Sequence, residues 1–316
     1  MAAPFYFNMN HLNQVATFLT QPSAASNINL RDVISLADTT RGLSTLPALY
    51  LQTLVSTYLS SYGDPQTILQ IMAAQSIIIA GPPVTALLQG YDPQRVRCPL
   101  LFFCIEYKGN LLVRYFQENK FDVDHTDTID SLAPKFLPNH AFPIINHVTR
   151  LTRFNEGSTQ LVHIYDTKMT AAPDVVRAFT ATFYMSFLYD RGLVMLYPDA
   201  TFRNIGLVHG DWDDHDKRLY NKGELLHGFT VSKDAGTFQA CRTLCPRLQR
   251  QSWDDHTLCL NFPHHEFADS PFVEDWTLWG NSCVCGQCDA EYTARERNYY
   301  LYLQALQRMD SRRSIQ

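Results

Sequence analysis

The chain has 316 residues, 46% of them hydrophobic, which supplies a buried core and excludes a disordered or fibrous class. Lys and Arg number 26 against 31 Asp and Glu, so the net charge of −5 gives no broad reason to expect a nucleic-acid or anionic-membrane partner. The opening MAAPFYFNMNHLNQVATF lacks a basic start and an unbroken apolar run, and no later stretch has the length of about 18 apolar residues that a membrane span needs. The expectation is an intracellular protein, cytoplasmic or nuclear, with no membrane segment. Its eight cysteines are then to be read as metal ligands, chemistry or packing rather than as a disulfide framework.

Residues 1–42 read as an irregular lead-in with a short helix at 10–19. Over 44–61, Leu46, Leu49, Tyr50, Leu54 and Tyr58 follow the period of a helix face. Asp64-Pro65 combines an N-cap with proline at the first helical position and opens a second helix to about Ala74. The run SIIIAGPP (76–83) predicts a buried strand turning tightly at Gly81 into a short helix, and Leu100 to Ile105 a neighbouring strand. LLVRYFQEN (111–119) fits a helix. PIINHVTRLTRF (143–154) and TQLVHIYD (159–166) fit paired strands about Asn155-Glu156-Gly157, and Pro173-Asp174 opens a helix at VVRAFTAT. The run from 183 to 205 is apolar and ambiguous between helix and strand; its aromatics and methionines either line a ligand pocket or, by default, pack a core. A helix is expected over 213–229 and an amphipathic one over 294–309.

Three motifs carry possible chemistry. His209-Gly210-Asp211 matches the catalytic loop of small-molecule phosphotransferases, with Asp216 where a magnesium-holding Asn would stand, yet the first half has neither a glycine-rich phosphate loop nor a strand lysine. Asp211, Asp213, Asp214, His215 and Asp216 could also be metal ligands, but the Gly and distant Glu of a calcium loop are out of register, and clustered Asp before a helix reads rather as a solvated N-cap. Cys241-x3-Cys245 and Cys285-x2-Cys288 have the spacing with which two thiolate pairs grip a structural zinc, with Cys283 as a substitute ligand. The alternative is that these are reduced, partly buried thiols, as expected of Cys98, Cys104 and Cys259. His264-His265-Glu266 point to alternating faces and read as a surface loop.

Taken together, IIIAGPPVTALLQGY (77–91), the stretch from TQLVHIYD to LYPDATF (159–202), CRTLCPRLQRQSWDDHTLCLNF (241–262) and WTLWGNSCVCGQC (276–288) resemble a large, mostly uncharacterised family of fungal proteins. Its members resemble nucleotidyltransferase-fold proteins in their first half. The resemblance implies a strand ending in Gly-Ser, a short helix, and a strand bearing two carboxylates at i and i+2, which would face one metal together. Here the Gly-Ser is Gly81-Pro82, which removes a hydroxyl and a backbone N–H. The acid-bearing strand reads Cys98-Pro99-Leu100-Leu101-Phe102-Phe103. Glu106 ends that strand alone, and Asp166 stands as a possible remnant of a third acid.

The expected architecture is therefore α/β (α+β): a small mixed sheet flanked by helices, nucleotidyltransferase-like over 43–230, with a Cys-bearing module and terminal helix over 231–316. The expected role is non-catalytic binding or scaffolding of a protein or small molecule. The alternative is a magnesium- and nucleotide-dependent transferase, phosphotransferase-like and possible in fungal specialised metabolism, using Asp211 and Asp216.

Overall fold

A computed structural model of the protein describes residues 9–19, 28–40, 43–90, 98–127, 144–155, 158–208, 228–233, 254 and 256–263. Helices α1 (Met9–Leu19), α2 (Leu30–Thr39), α3 (Leu46–Ser60) and α4 (Pro65–Gln75) come first, followed by strand β1 (Ile78–Ala80) and the short helix α5 (Pro82–Leu88). Next come β2 (Leu100–Ile105), α6 (Asn110–Glu118), β3 (Asp122–Asp127), β4 (Ile145–Asn155) and β5 (Ser158–Thr167). The rest is two 3-10 helices at Ala172–Ala178 and Thr182–Tyr184, β6 (Ser186–Tyr189), β7 (Gly192–Met195), α7 (Pro198–Phe202), β8 (Ile205–Leu207), β9 (Thr230–Ser232) and β10 (Leu258–Asn261). No helix among the described residues is long and apolar enough to cross a membrane.

Eight strands form one mixed sheet in the order β10-β7-β6-β1-β2-β5-β4-β3, larger than the small sheet expected, while β8 and β9 pair in a second one. β2 and β5 run parallel, and the other neighbours in the large sheet are antiparallel. Side chains alternate along each strand. Leu100, Phe102 and Cys104 join the core beneath α1–α4 and α6, and Leu101 and Phe103 join the core on the other face, with the first 3-10 helix. Phe102 and Phe103 are both fully buried. Each such aromatic contributes roughly 2–3 kcal/mol of apolar burial.

The Asp64 N-cap is confirmed: its carboxylate accepts from the Thr67 amide at 2.8 Å, and Pro65 occupies the first helical position. Strands β1, β2, β4 and β5 and helix α6 lie where the sequence predicts them. The irregular lead-in does not hold. It contains α2 besides α1, and Leu12, Ala16, Leu30 and Val33 are buried in the helix-covered core. A capping box starts α2, in which Asn29 Oδ1 accepts from the Asp32 amide at 3.2 Å and Asp32 Oδ2 from the Asn29 amide at 3.1 Å. The helix expected from Pro173 is a 3-10 helix, because a short segment bearing the β-branched pair Val175-Val176 packs flat against β1, β2 and β6. The ambiguous run from 183 resolves into β6, β7, α7 and β8. Its Phe183, Tyr184, Met185, Phe187, Tyr189, Met195 and Tyr197 are all buried, so the packing default holds over the pocket. From the cysteine-bearing stretch, β10 joins the large sheet beside β7.

On the helix-covered face, Arg153 ties three elements together. Its guanidinium donates to Ser61 O at 2.6 Å, to Asn119 O at 3.0 Å and to Gln160 Oε1 at 2.7 and 2.9 Å, and lies 4.3 Å over the Phe121 ring. Gln160 Nε2 completes the clamp by donating to Ser61 O at 2.7 Å.

Candidate functional site

Two ends of the β1–β2–β5 core are candidates, and the chain builds them differently. At one end β1 turns into α5 through Gly81, whose φ of 80° and ψ of −152° suit only glycine. Pro82 and Pro83 open α5 without N–H donors, and every residue from Ile77 to Leu88 is buried. Thr85 Oγ1, the hydroxyl nearest the turn in sequence, donates to Phe183 O at 2.6 Å. Beside the turn, the strand that should bear paired acids starts with buried Leu100 and Leu101. Burial pushes the Cys98 thiol up to about 12, so a thiolate is not available there either.

Asp166 is at the opposite end. β1 is antiparallel to β2 with Ile79 against Phe102, which sets the Gly81 turn beside the start of β2, whereas Asp166 pairs with Cys104 at its finish. Four residues of strand, roughly 13 Å, separate the two. Asp166 is therefore not the remnant third acid of a site at Gly81, because the register carries it past that edge.

At its own end Asp166 gathers groups from three strands. Cys104 Sγ–H donates to Asp166 Oδ1 at 2.9 Å, and His147 Nδ1 lies 3.6 Å from Asp166 Oδ2. Nearby, Asn146 Nδ2 donates to Glu106 Oε1 at 2.8 Å. A register shift at the start of β4 brings His147 opposite Asp166. Gly109 closes the site: a Cβ there would lie 2.7 Å from Ile164 Cγ2, 3.1 Å from Asp166 Oδ1 and 3.2 Å from Cys104 Sγ. The Cys104 thiol is held well above its ordinary range by burial, then by the Asp166 charge and by its bond to that carboxylate. A nucleophilic cysteine needs an imidazole at its sulfur. Here the carboxylate stands between thiol and imidazole, so the thiol stays protonated and the trio is a buried polar tie, not a protease pair.

Sequence reading singled out Asp166, Glu106 and Cys104 separately but missed that Cys104, Asp166 and His147 meet. Nothing local signals it, since the parallel pairing of β2 with β5 joins Cys104 to Asp166 and a register shift in β4 brings His147 opposite Asp166. The motif His209-Gly210-Asp211, with Asp213, Asp214, His215 and Asp216, lies outside the described residues, as do Cys241, Cys245, Cys283, Cys285, Cys288 and His264-His265-Glu266. Among the described residues no three His, Cys, Asp or Glu side chains converge as metal ligands. Cys259, half-buried on β10, packs against the core and its thiol is raised chiefly by burial. An open cleft of about 350 Å³ runs between α2, α7 and the start of β10, bordered by Arg31, Ile34, Asp199, Phe202, Arg203 and Leu258. Arg31 is anchored there, Nη1 donating to Phe202 O at 3.0 Å.

Compared with models of protein families, with curated proteins and with solved structures, the chain matches none.

Proposed function

We propose that the chain is a non-catalytic binding or scaffold protein on a nucleotidyltransferase-like core. The order β1, tight glycine turn, short helix, β2, with β5 later laid beside β2, supports that core. The observation that carries the non-catalytic reading is the Gly81 turn itself. A nucleotide would need amides and a hydroxyl facing an open edge next to a metal held by paired acids. This turn is proline-capped and buried, and Leu100 and Phe102, one i, i+2 pair in the strand where paired acids are expected, are apolar and buried. A structural zinc on Cys241, Cys245, Cys285 and Cys288 belongs to the same proposal, and the partner is a protein or a small molecule.

The test is a thermal-shift titration of the full chain with ATP, GTP, CTP and UTP, with and without magnesium, alongside elemental analysis. The expected result is no shift with any nucleotide and about one zinc per chain. A nucleotide at a hundred times its Kd would add about 2.7 kcal/mol of stability, well within detection. A magnesium-dependent shift that disappears in Asp211→Ala overturns the proposal in favour of a transferase using Asp211 and Asp216. Zinc retained in the Cys285→Ser, Cys288→Ser double variant overturns the zinc assignment.

A further inference from the structure

In the β4–β5 hairpin Arg150 stands directly opposite His163. Their side chains leave the sheet on the face away from α1–α4 and α6, with Cβ atoms about 5 Å apart. Tyr165 follows two residues along β5 on the same face, its hydroxyl 3.3 Å from His163 Nδ1. When that hydroxyl donates to Nδ1, the neutral ring carries its proton on Nε2 and has a donor to offer.

Arg150 is half-buried, and its Nε is buried with no hydrogen-bond partner. No carboxylate among the described residues pairs with its guanidinium. The neighbours that the register gives it are neutral on β4 (Val148 and Thr152), on β5 (Leu161, His163 and Tyr165) and on β2, where Leu101 pairs with His163; on β3, His125 pairs with Arg150 and Asp127 with Val148. A guanidinium has only donors, and withdrawing one from water without an acceptor is costly. An oxyanion can supply the acceptors, since two oxygens match the guanidinium fork.

We propose that Arg150 and His163 form a binding site for a small oxyanion, a phosphate or a carboxylate group, on this half-buried face of the β4–β5 hairpin. Arg150 supplies the fixed charge and the fork, His163 a second donor, and Tyr165 holds the ring. Burial, then the Arg150 charge, pushes the His163 pKa down to about 4. A bound anion reverses the sign of that field by favouring the imidazolium, so occupancy is readable at the ring itself. The site does not depend on whether the Gly81 turn binds nucleotide.

The experiment follows the His163 ring by NMR through a pH titration of the full chain, the resonance assigned with His163→Gln, in plain buffer, in inorganic phosphate and in acetate. Phosphate at concentrations near 1 mM, the regime of a weak single site, is expected to raise the His163 pKa by about one unit or more, equivalent to tenfold tighter binding to the protonated form. A matching response to acetate assigns carboxylates to the site as well; a response to phosphate alone restricts it to phosphate. Arg150→Gln is expected to abolish the response and Arg150→Lys to keep part of it. An unmoved His163 in both anions overturns the proposal, and so does an equal response in Arg150→Gln. The wild-type titration decides alone if that variant does not fold.

Discussion

Arg150 and Arg153 stand three residues apart on β4 and so on opposite faces of the sheet. Toward the helices, Arg153 meets two backbone carbonyls, at Ser61 and Asn119, left over where α3 and α6 end, together with Gln160 from the next strand and the face of Phe121. Toward the other side, Arg150 faces His163, and its buried Nε has no hydrogen-bond partner among the described residues. Helix ends present unpaired carbonyls as a matter of geometry, so a strand arginine beneath two of them is consumed by the fold. A sheet face offers no such acceptors, because its carbonyls are spent in the ladder. The same side chain is thus a structural clamp on one face and, among the described residues, carries a buried Nε without a partner on the other.

The contrast can be broken in three ways. The largest effect is expected from Arg153→Ala, which strips the acceptors at Ser61, Asn119 and Gln160 of their charged donor and should cost about 3 kcal/mol in urea denaturation. A loss under about 1 kcal/mol would mean that the clamp is ornamental and the two arginines are alike. Next is the pH dependence of folding. His163 has a pKa of about 4 in the folded chain and an ordinary value near 6.5 when unfolded, so the unfolded state binds the extra proton between those values. Its contribution is whole above pH ~6.5 and is lost as pH falls toward ~4, by about 2 kcal/mol once partial exposure of the ring is allowed for. Denaturation curves across that window should flatten in His163→Gln; an unchanged slope would place the pH dependence elsewhere. The smallest effect is expected from Arg150→Gln, within about 0.5 kcal/mol of wild type in buffer free of phosphate and carboxylates. A loss comparable to that of Arg153→Ala would give Arg150 a structural role and remove the asymmetry.

Local signals were legible and distant ones were not. Asp64-Pro65 announces α4 because cap and proline act within one turn, and Gly81 ends β1 because only glycine takes its backbone angles. Asn29 and Asp32 carried the same kind of signal for α2, but the surrounding small and polar residues hid it. β3 was missed for another reason: DVDHTD has no apolar alternation, since it is an edge strand whose pairing with β4 is sustained by the backbone. At the candidate sites the difference is sharper. The Cys104–Asp166–His147 contact depends on a parallel pairing that no spacing encodes. The Arg150–His163 pair was readable, because counting back along both strands from the facing ends Asn155 and Ser158 sets them face to face.

The three-residue β1 lies between β2 and β6, and β6 begins only at Ser186. During synthesis, β2 can seal one edge of β1 soon after it is made. The other edge waits for about a third of the chain to appear, on the order of ten seconds at ribosomal speed. Throughout that interval an apolar Ile-Ile-Ala ribbon has open backbone groups and nothing of its own chain to satisfy them. The step most exposed to misassembly in the cell is therefore the late arrival of β6, and slowing translation between β1 and β6 should lower the yield of folded protein more than slowing it before β1.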